Sequence, residues 1–212
     1  MPVVTALRAT RPGGVALHVD GEYVCSVSEA LVARWRLFKG RELDDAALAE
    51  IRASSSAERV MGDAYRLLGH RARSTAELRR RLRDKDHDEG VIEDALARLA
   101  ADGFLDDTAF ARSYVTDKRR LGGWGRDRIR RGLRELGVET STIDDVLAAG
   151  EEGEDEEFDR ALAVLRRKGT PDKPAEAERR RAYQLLLRRG FSSSVAYAAV
   201  RRWADGDASR AN

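Results

Sequence analysis

The chain has 212 residues, 42% hydrophobic and 36% charged, with a formal net charge of +2. Its one cysteine, Cys25, excludes an intrachain disulfide framework, and no apolar run approaches the roughly 18 residues of a membrane-spanning helix. The charged fraction exceeds the usual quarter or so, which calls for a large surface such as an elongated helical protein offers. Met1–Thr10 lacks a basic region followed by an apolar core, so no secretory signal is expected there, and the lone thiol fits a reducing cytoplasm.

The first segment reads as strands. Val3–Thr10 and Val15–Val19 flank the turn sequence Arg11-Pro12-Gly13-Gly14, and Asp20-Gly21, a tight hairpin pair, leads into Glu22–Val27. The odd positions of Val15–Val19 are apolar, so one face is buried; Tyr23 and Cys25 are expected to point inward on the next strand. Ser28 can cap a helix running to about Leu37, with Leu31, Val32 and Trp35 on one face and Lys39-Gly40 at its end. Asp44 or Asp45 opens a second helix carrying Leu48 and Ile51, and Ser54-Ser55-Ser56 reads as a junction. Residues 1–56 are therefore expected to form an extension, a small β-sheet with two helices.

Beyond the junction the pattern is helical and it repeats. Ser74-x-x-Glu77, a capping box, opens a middle helix over Ser74–Asp84 with Leu78 and Leu82 inward. A second spans about Gly125–Gly137 with Ile129, Leu133 and Leu136 inward, and a third Ala175–Gly190 with Ala182 and Leu186 inward. Leu82, Leu133 and Leu186 lie 51 and then 53 residues apart, a period that indicates repeated supersecondary units. Leading helices carry Val60/Ala64/Leu67, Phe110/Tyr114 and Phe158/Leu162/Leu165; trailing helices carry Ile92/Leu96/Leu99, Ile143/Val146/Leu147 and Val195 with Trp203. The predicted fold class is mainly α: tandem three-helix repeats over residues 57–106, 107–150 and 151–204 forming an elongated curved array, with the N-terminal β-sheet extension before them and a flexible tail, 205–212, after. Gly103 suits a left-handed cap from which Phe104 and Leu105 fold back, and Asp106 or Asp107 caps the next helix. An acidic stretch, Gly150–Glu157, joins the second and third repeats, and Gly169–Pro174 is a loop with two prolines.

Signs of catalysis are few. His18, His70 and His87 lack metal-ligand spacing, and Cys25 lies in a strand without a histidine pattern nearby. Leu121-Gly122-Gly123-Trp124-Gly125 is glycine-rich, but no Lys-Ser/Thr follows it, so it reads as a helix end and turn rather than as a phosphate loop, with Trp124 a packing anchor or, as the alternative, an exposed contact residue. Carboxylate pairs sit at helix starts, where capping explains them. No enzyme activity, cofactor or metal is expected.

The arginines carry the remaining signal. Only five of the 39 basic residues are lysine, and residues 160–212 hold 13 basic against 5 acidic side chains whereas 139–159 hold 10 acidic and none basic. With the leucines inward, Arg79, Arg80 and Arg83 face away from the core of the first middle helix. Arg126, Arg130, Arg131 and Arg134 do so on the second, and Arg181, Arg188 and Arg189 on the third; Lys118, Arg119 and Arg120 end the second leading helix. Each is equally well read as part of a solvated helix face. Read together, they are candidate contacts for a polyanion or an acidic protein surface.

Three blocks carry a family resemblance: Tyr65-Arg66-Leu67-Leu68 with Ser74-Thr75-Ala76-Glu77-Leu78-Arg79-Arg80-Arg81-Leu82; Gly103-Phe104-Leu105-Asp106-Asp107 with Phe110-Ala111 and Tyr114; and Arg126-Asp127-Arg128-Ile129-Arg130-Arg131-Gly132-Leu133 with Leu136-Gly137-Val138. They resemble the repeats of RecX regulatory proteins, and Leu185-Leu186, Arg189-Gly190-Phe191 and Val19-Asp20-Gly21-Glu22 add to the match. The resemblance implies a cytoplasmic modulator of the RecA recombinase in DNA repair, homologous recombination and the SOS response; the free chain is separately expected to be a monomer. Such a protein lies in the groove of the RecA–DNA filament and limits its growth, ATP hydrolysis and strand exchange, touching DNA weakly or through the filament. Gly132 departs from the pattern, standing in a helix where the family often has a longer residue; it either permits close packing or weakens the helix by about 1 kcal/mol. A direct DNA-binding protein of helix-turn-helix type and a scaffold for an unrelated acidic protein are the alternatives.

Overall fold

The computed structural model describes residues 1–10, 13–149, 154–167, 169 and 174–206. Arg11-Pro12 of the first turn, residues 150–153 of the acidic stretch, most of the Gly169–Pro174 loop and the tail from 207 lie outside these described residues. The chain is mainly α, with three tandem three-helix domains and a small antiparallel sheet. It divides into two units, Met1–Ala72 with Leu78–Phe104, and Arg73–Glu77 with Leu105–Asn212.

In the first unit β1 (Val4–Ala9), β2 (Gly14–Val19) and β3 (Glu22–Ser28) form an antiparallel meander in the order β1-β2-β3. Asp20 and Gly21 both adopt positive φ, 51° and 89°, as a type I′ hairpin turn requires. Val4, Leu17, Val19 and Val27 from the sheet pack on Leu31, Leu43 and Ile51. Tyr23 does not point inward. The β2–β3 register shifts between the Leu17–Cys25 and His18–Tyr23 pairs, and the extra residue reverses the alternation. Tyr23 is 59% exposed, edge-on to His18 at 5.9 Å.

Helix α1 (Glu29–Arg34) is capped by Ser28, whose Oγ accepts from Leu31 N, and stops short of Leu37 because Arg36 turns to φ 47°. Helix α2 (Asp45–His70), capped by Asp44, corrects the expected junction: it runs unbroken through Ser54-Ser55-Ser56. Serine is a mild helix disfavourer, far weaker than glycine or proline. Here Ser55 is held by donating from its hydroxyl to the Ser26 carbonyl at 2.6 Å, between the buried Ile51 and Val60. One helix thus serves the sheet with its first half and the first repeat with its second.

Helix α3 (Thr75–Arg83) and helix α4 (Glu89–Ala101) complete the first repeat, with Leu78, Leu82, Ile92 and Leu99 fully buried. The loop between them is pinned by Asp63 of α2, which meets His87 Nε2 at 2.8 Å and Lys85 Nζ at 3.2 Å. His87 is therefore a structural histidine.

The second unit holds two further triplets: α5 (Asp107–Arg120), α6 (Arg126–Glu135) and α7 (Thr140–Ala149), then α8 (Glu154–Arg166), α9 (Glu176–Arg188) and α10 (Ser193–Ala204). Val115, Ile129, Leu133 and Ile143 centre the first core; Leu162, Leu186, Phe191 and Trp203 centre the second. Middle helices α6 and α9 end alike. Gly137 and Gly190 sit at φ 78° and 81°, and the next residue donates back to the central leucine: Val138 N to Leu133 O at 3.1 Å, Phe191 N to Leu186 O at 3.1 Å.

Each of these ends abuts the start of the preceding middle helix. Ser74 caps the first turn of α3, its Oγ accepting from Glu77 N, and donates to the Leu136 carbonyl at the end of α6. At the start of α6, Gly125 N donates to Arg189 O (2.8 Å) and Asp127 N to Gly190 O (3.1 Å). A Cβ on Gly190 would lie 2.3 Å from Arg128 N, so the close approach requires glycine as much as the turn does. Orphan donors at one helix start thereby meet orphan carbonyls at another helix end.

Candidate interaction surface

The structure sorts the expected contact residues into tied and untied ones. On α3, Arg79 donates to Glu93 of α4 through Nε (2.5 Å) and Nη2 (2.9 Å), and Arg83 forms a fork-like pair with Glu89. These guanidiniums hold the Glu93 and Glu89 carboxyls below their ordinary pKa. Arg80 is exposed and, among the described residues, makes no ion pair. On α6, Arg130 Nη2 meets Asp144 Oδ1 of α7 at 2.7 Å, repeating the Arg79–Glu93 arrangement with the same 14-residue spacing. Arg131 and Arg134 remain exposed and border, with Arg130, a shallow depression of about 370 Å³.

Arg126 is exposed in the first turn of α6, where its backbone N–H donates to Glu157 at 3.1 Å. Arg119 and Arg120 line a hollow of about 380 Å³ with Arg160 and Arg167 of the α8 region. Arg181 borders a smaller one beside Leu165 and Trp203. Arg188 is exposed, whereas Arg189 turns inward and donates from Nη1 to the Gly122 carbonyl at 2.7 Å, a structural pin rather than a free contact.

A concavity of about 670 Å³ opens where the second and third repeats meet. Trp124 lies at its base, with the Arg128 guanidinium 4.1 Å from the ring centroid and Lys118 Nζ 4.9 Å from it. Tyr114 packs edge-on to Trp124 at 6.4 Å. Its ring rests on α6 where Gly132 leaves room: a Cβ there would lie 2.3 Å from Tyr114 Oη. Burial, then the nearby Glu135 charge, raises the Tyr114 hydroxyl pKa. Arg131 of α6 and Arg188 of α9 stand on the rim.

Thus Arg131 and Arg188 share the cleft as candidate contacts, Lys118 stacks on the Tyr114 and Trp124 rings, and Arg79, Arg83 and Arg130 are drawn into their own domains. Sequence reasoning did not single out Arg128 or Tyr114 at this surface, and it weighed Trp124 as a packing anchor ahead of a contact residue. The spacing of Trp124 and Arg128, four residues apart at a helix start, was the available signal. Unpaired guanidiniums around an aromatic base suit phosphate or carboxylate recognition. Cys25 is a poor nucleophile, since burial raises its thiol pKa.

Comparison with known proteins assigns the chain. Models of the first, second and third three-helix domains of RecX match residues 61–99, 106–147 and 154–200. The regulatory protein RecX of Geobacillus kaustophilus is 31% identical over 194 residues, 91% of this chain and 71% of that protein. That of Bacillus subtilis is 30% identical over 203 residues, 94% of this chain and 76% of that protein. A crystal structure of regulatory protein RecX, 27% identical, superposes with a TM-score of 0.68 over 95% of this chain and 100% of that one. RecX from Lactobacillus salivarius, at 18% identity, shares the fold with a TM-score of 0.61 over 70% of this chain and 96% of that one. Three domain matches in order, over relatives of this identity and coverage, place the chain in the RecX family of regulatory proteins.

Proposed function

We propose that this chain is a cytoplasmic, monomeric regulator that binds the groove of the RecA–DNA filament and restrains filament growth, ATP hydrolysis and strand exchange. The observation that carries the reading, beyond family membership, is the cleft between the second and third repeats. Arg131 and Arg188 stand there without ion-pair partners among the described residues, beside Trp124 capped by Arg128. Guanidiniums held around an aromatic surface engage the phosphates of bound DNA or the carboxylates of a protein surface. Linked three-helix domains engaging successive filament subunits raise one another's effective concentration, so modest contacts add to tight binding.

The test is RecA's DNA-dependent ATPase on single-stranded DNA, titrated with this chain at low and high salt. Hydrolysis falls with added protein, and more protein is needed at high salt because screening weakens charge contacts. An unchanged rate at saturating protein in low salt contradicts the proposal. Direct DNA binding is the second reading, favoured by the aromatic-and-cation make-up of the same cleft. Tight, sequence-selective duplex binding without RecA would select it.

A further inference from the structure

The third repeat departs from the other two at one pair of positions. In the first repeat Arg79, three residues before Leu82, ties α3 to Glu93 of α4; in the second Arg130, three residues before Leu133, ties α6 to Asp144 of α7. The equivalent positions around Leu186 are Tyr183 and Tyr197, again 14 residues apart. An ion-pair seam is therefore replaced by two tyrosines, and a groove of about 420 Å³ lies between α9 and α10 where the seam would run.

The groove has a consistent construction. Residues 176, 179, 180 and 183 share one face of α9, and 197, 200, 201 and 204 share one face of α10. Each face is about 10 Å long, two helical turns. Val200 and Ala204 are buried at its floor, Tyr183 is half-buried against the core, and Tyr197 is 66% exposed. Arg179, Arg180 and Arg201 are exposed along it, and none makes an ion pair among the described residues. Glu176 and Asp205 also line it.

We propose that this groove receives an acidic, amphipathic peptide segment of the partner filament. A large apolar side chain seats against Tyr183, Tyr197 and Val200, and flanking carboxylates meet Arg179, Arg180 and Arg201. Tyrosine and arginine over a buried apolar floor are the residue types that dominate protein–protein binding energy. Glu176 and Asp205 repel a phosphate backbone, whereas a peptide can set an amide N–H or a basic side chain opposite them. The identity of the partner rests on the proposed function; the groove is separate from the Trp124 cleft.

Binding of the full chain is measured to RecA filaments assembled on labelled oligo-dT and, separately, to naked oligo-dT. Tyr197→Ala and Arg201→Glu, both at exposed positions, are compared with wild type after thermal melts verify folding. Tyr183→Arg with Tyr197→Glu restores the seam of the other repeats and closes the groove. Each variant is expected to weaken filament binding about tenfold or more, with binding to naked oligo-dT unchanged. Equal filament affinity for wild type and folded variants overturns the groove proposal alone. Parallel losses on naked oligo-dT overturn it in favour of a nucleic-acid surface. Absence of filament binding by wild type overturns both this proposal and the proposed function.

Discussion

At Gly132 a single hydrogen lets the Tyr114 ring rest on the α6 backbone, with the hydroxyl where a Cβ would stand. Gly132→Ala should cost about 1–3 kcal/mol through overpacking, read as a lower denaturation midpoint. In the Tyr114→Phe background the 2.3 Å clash is gone, the ring carbon at 3.2 Å is the remaining tight contact, and the alanine helix preference of about 1 kcal/mol offsets it, so the same change should cost clearly less. An equal loss in both backgrounds would contradict this. The glycine was visible in the sequence but ambiguous, because helical spacing does not reveal which residue of a neighbouring helix lies over it. Asp63 is a second such residue. Burial raises its pKa, but bonds from His87 and Lys85 and the Arg66 charge outweigh burial and leave it below its ordinary value. A depressed folded-state pKa stabilises above the unfolded value, about 4, and that stability is lost as pH falls through the folded value. Asp63→Asn should therefore lower the melting temperature near neutrality, with the gap to wild type narrowing as pH falls from about 5 towards 2. A gap independent of pH would contradict the assignment.

At the scale of elements, apolar periodicity made the three middle helices legible, because Leu82, Leu133 and Leu186 each sit at the centre of a triplet and each is fully buried. Leu133→Ala should cost about 2–5 kcal/mol, as buried leucines do; an unchanged denaturation midpoint would remove it from the core. Two local misreadings have physical causes. Ser54-Ser55-Ser56 reads as a linker because three small polar residues carry no apolar period, yet Ile51 and Val60 on either side are buried and keep the helix continuous. Ser55→Pro should destabilise by about 3 kcal/mol or more, as proline inside a helix does. A loss below about 0.5 kcal/mol would restore the junction, since only surface changes away from structural features are that mild. Tyr23 was misplaced because strand alternation presumes a regular ladder, and a register shift is not written in hydropathy.

For the molecule as a whole, the excess of arginine is used in two ways that composition does not separate. Some arginines are internal straps: Arg79 and Arg130 recur at equivalent positions and bind the trailing helix of their own domain. Others face solvent, and Arg131 with Arg188 share the cleft whose base is Trp124. Which arginines are straps was not legible without the fold, although the matching acids 14 residues downstream, Glu93 and Asp144, were there to be read. The most direct test of regulation through this cleft is the ATPase titration repeated with Arg131→Glu plus Arg188→Glu, neither of which strands a strap partner. The folded double variant should need at least about tenfold more protein for half-inhibition, since reversing contact charges adds repulsion where there was attraction. Half-inhibition at the same concentration as wild type would show that these side chains do not meet the filament.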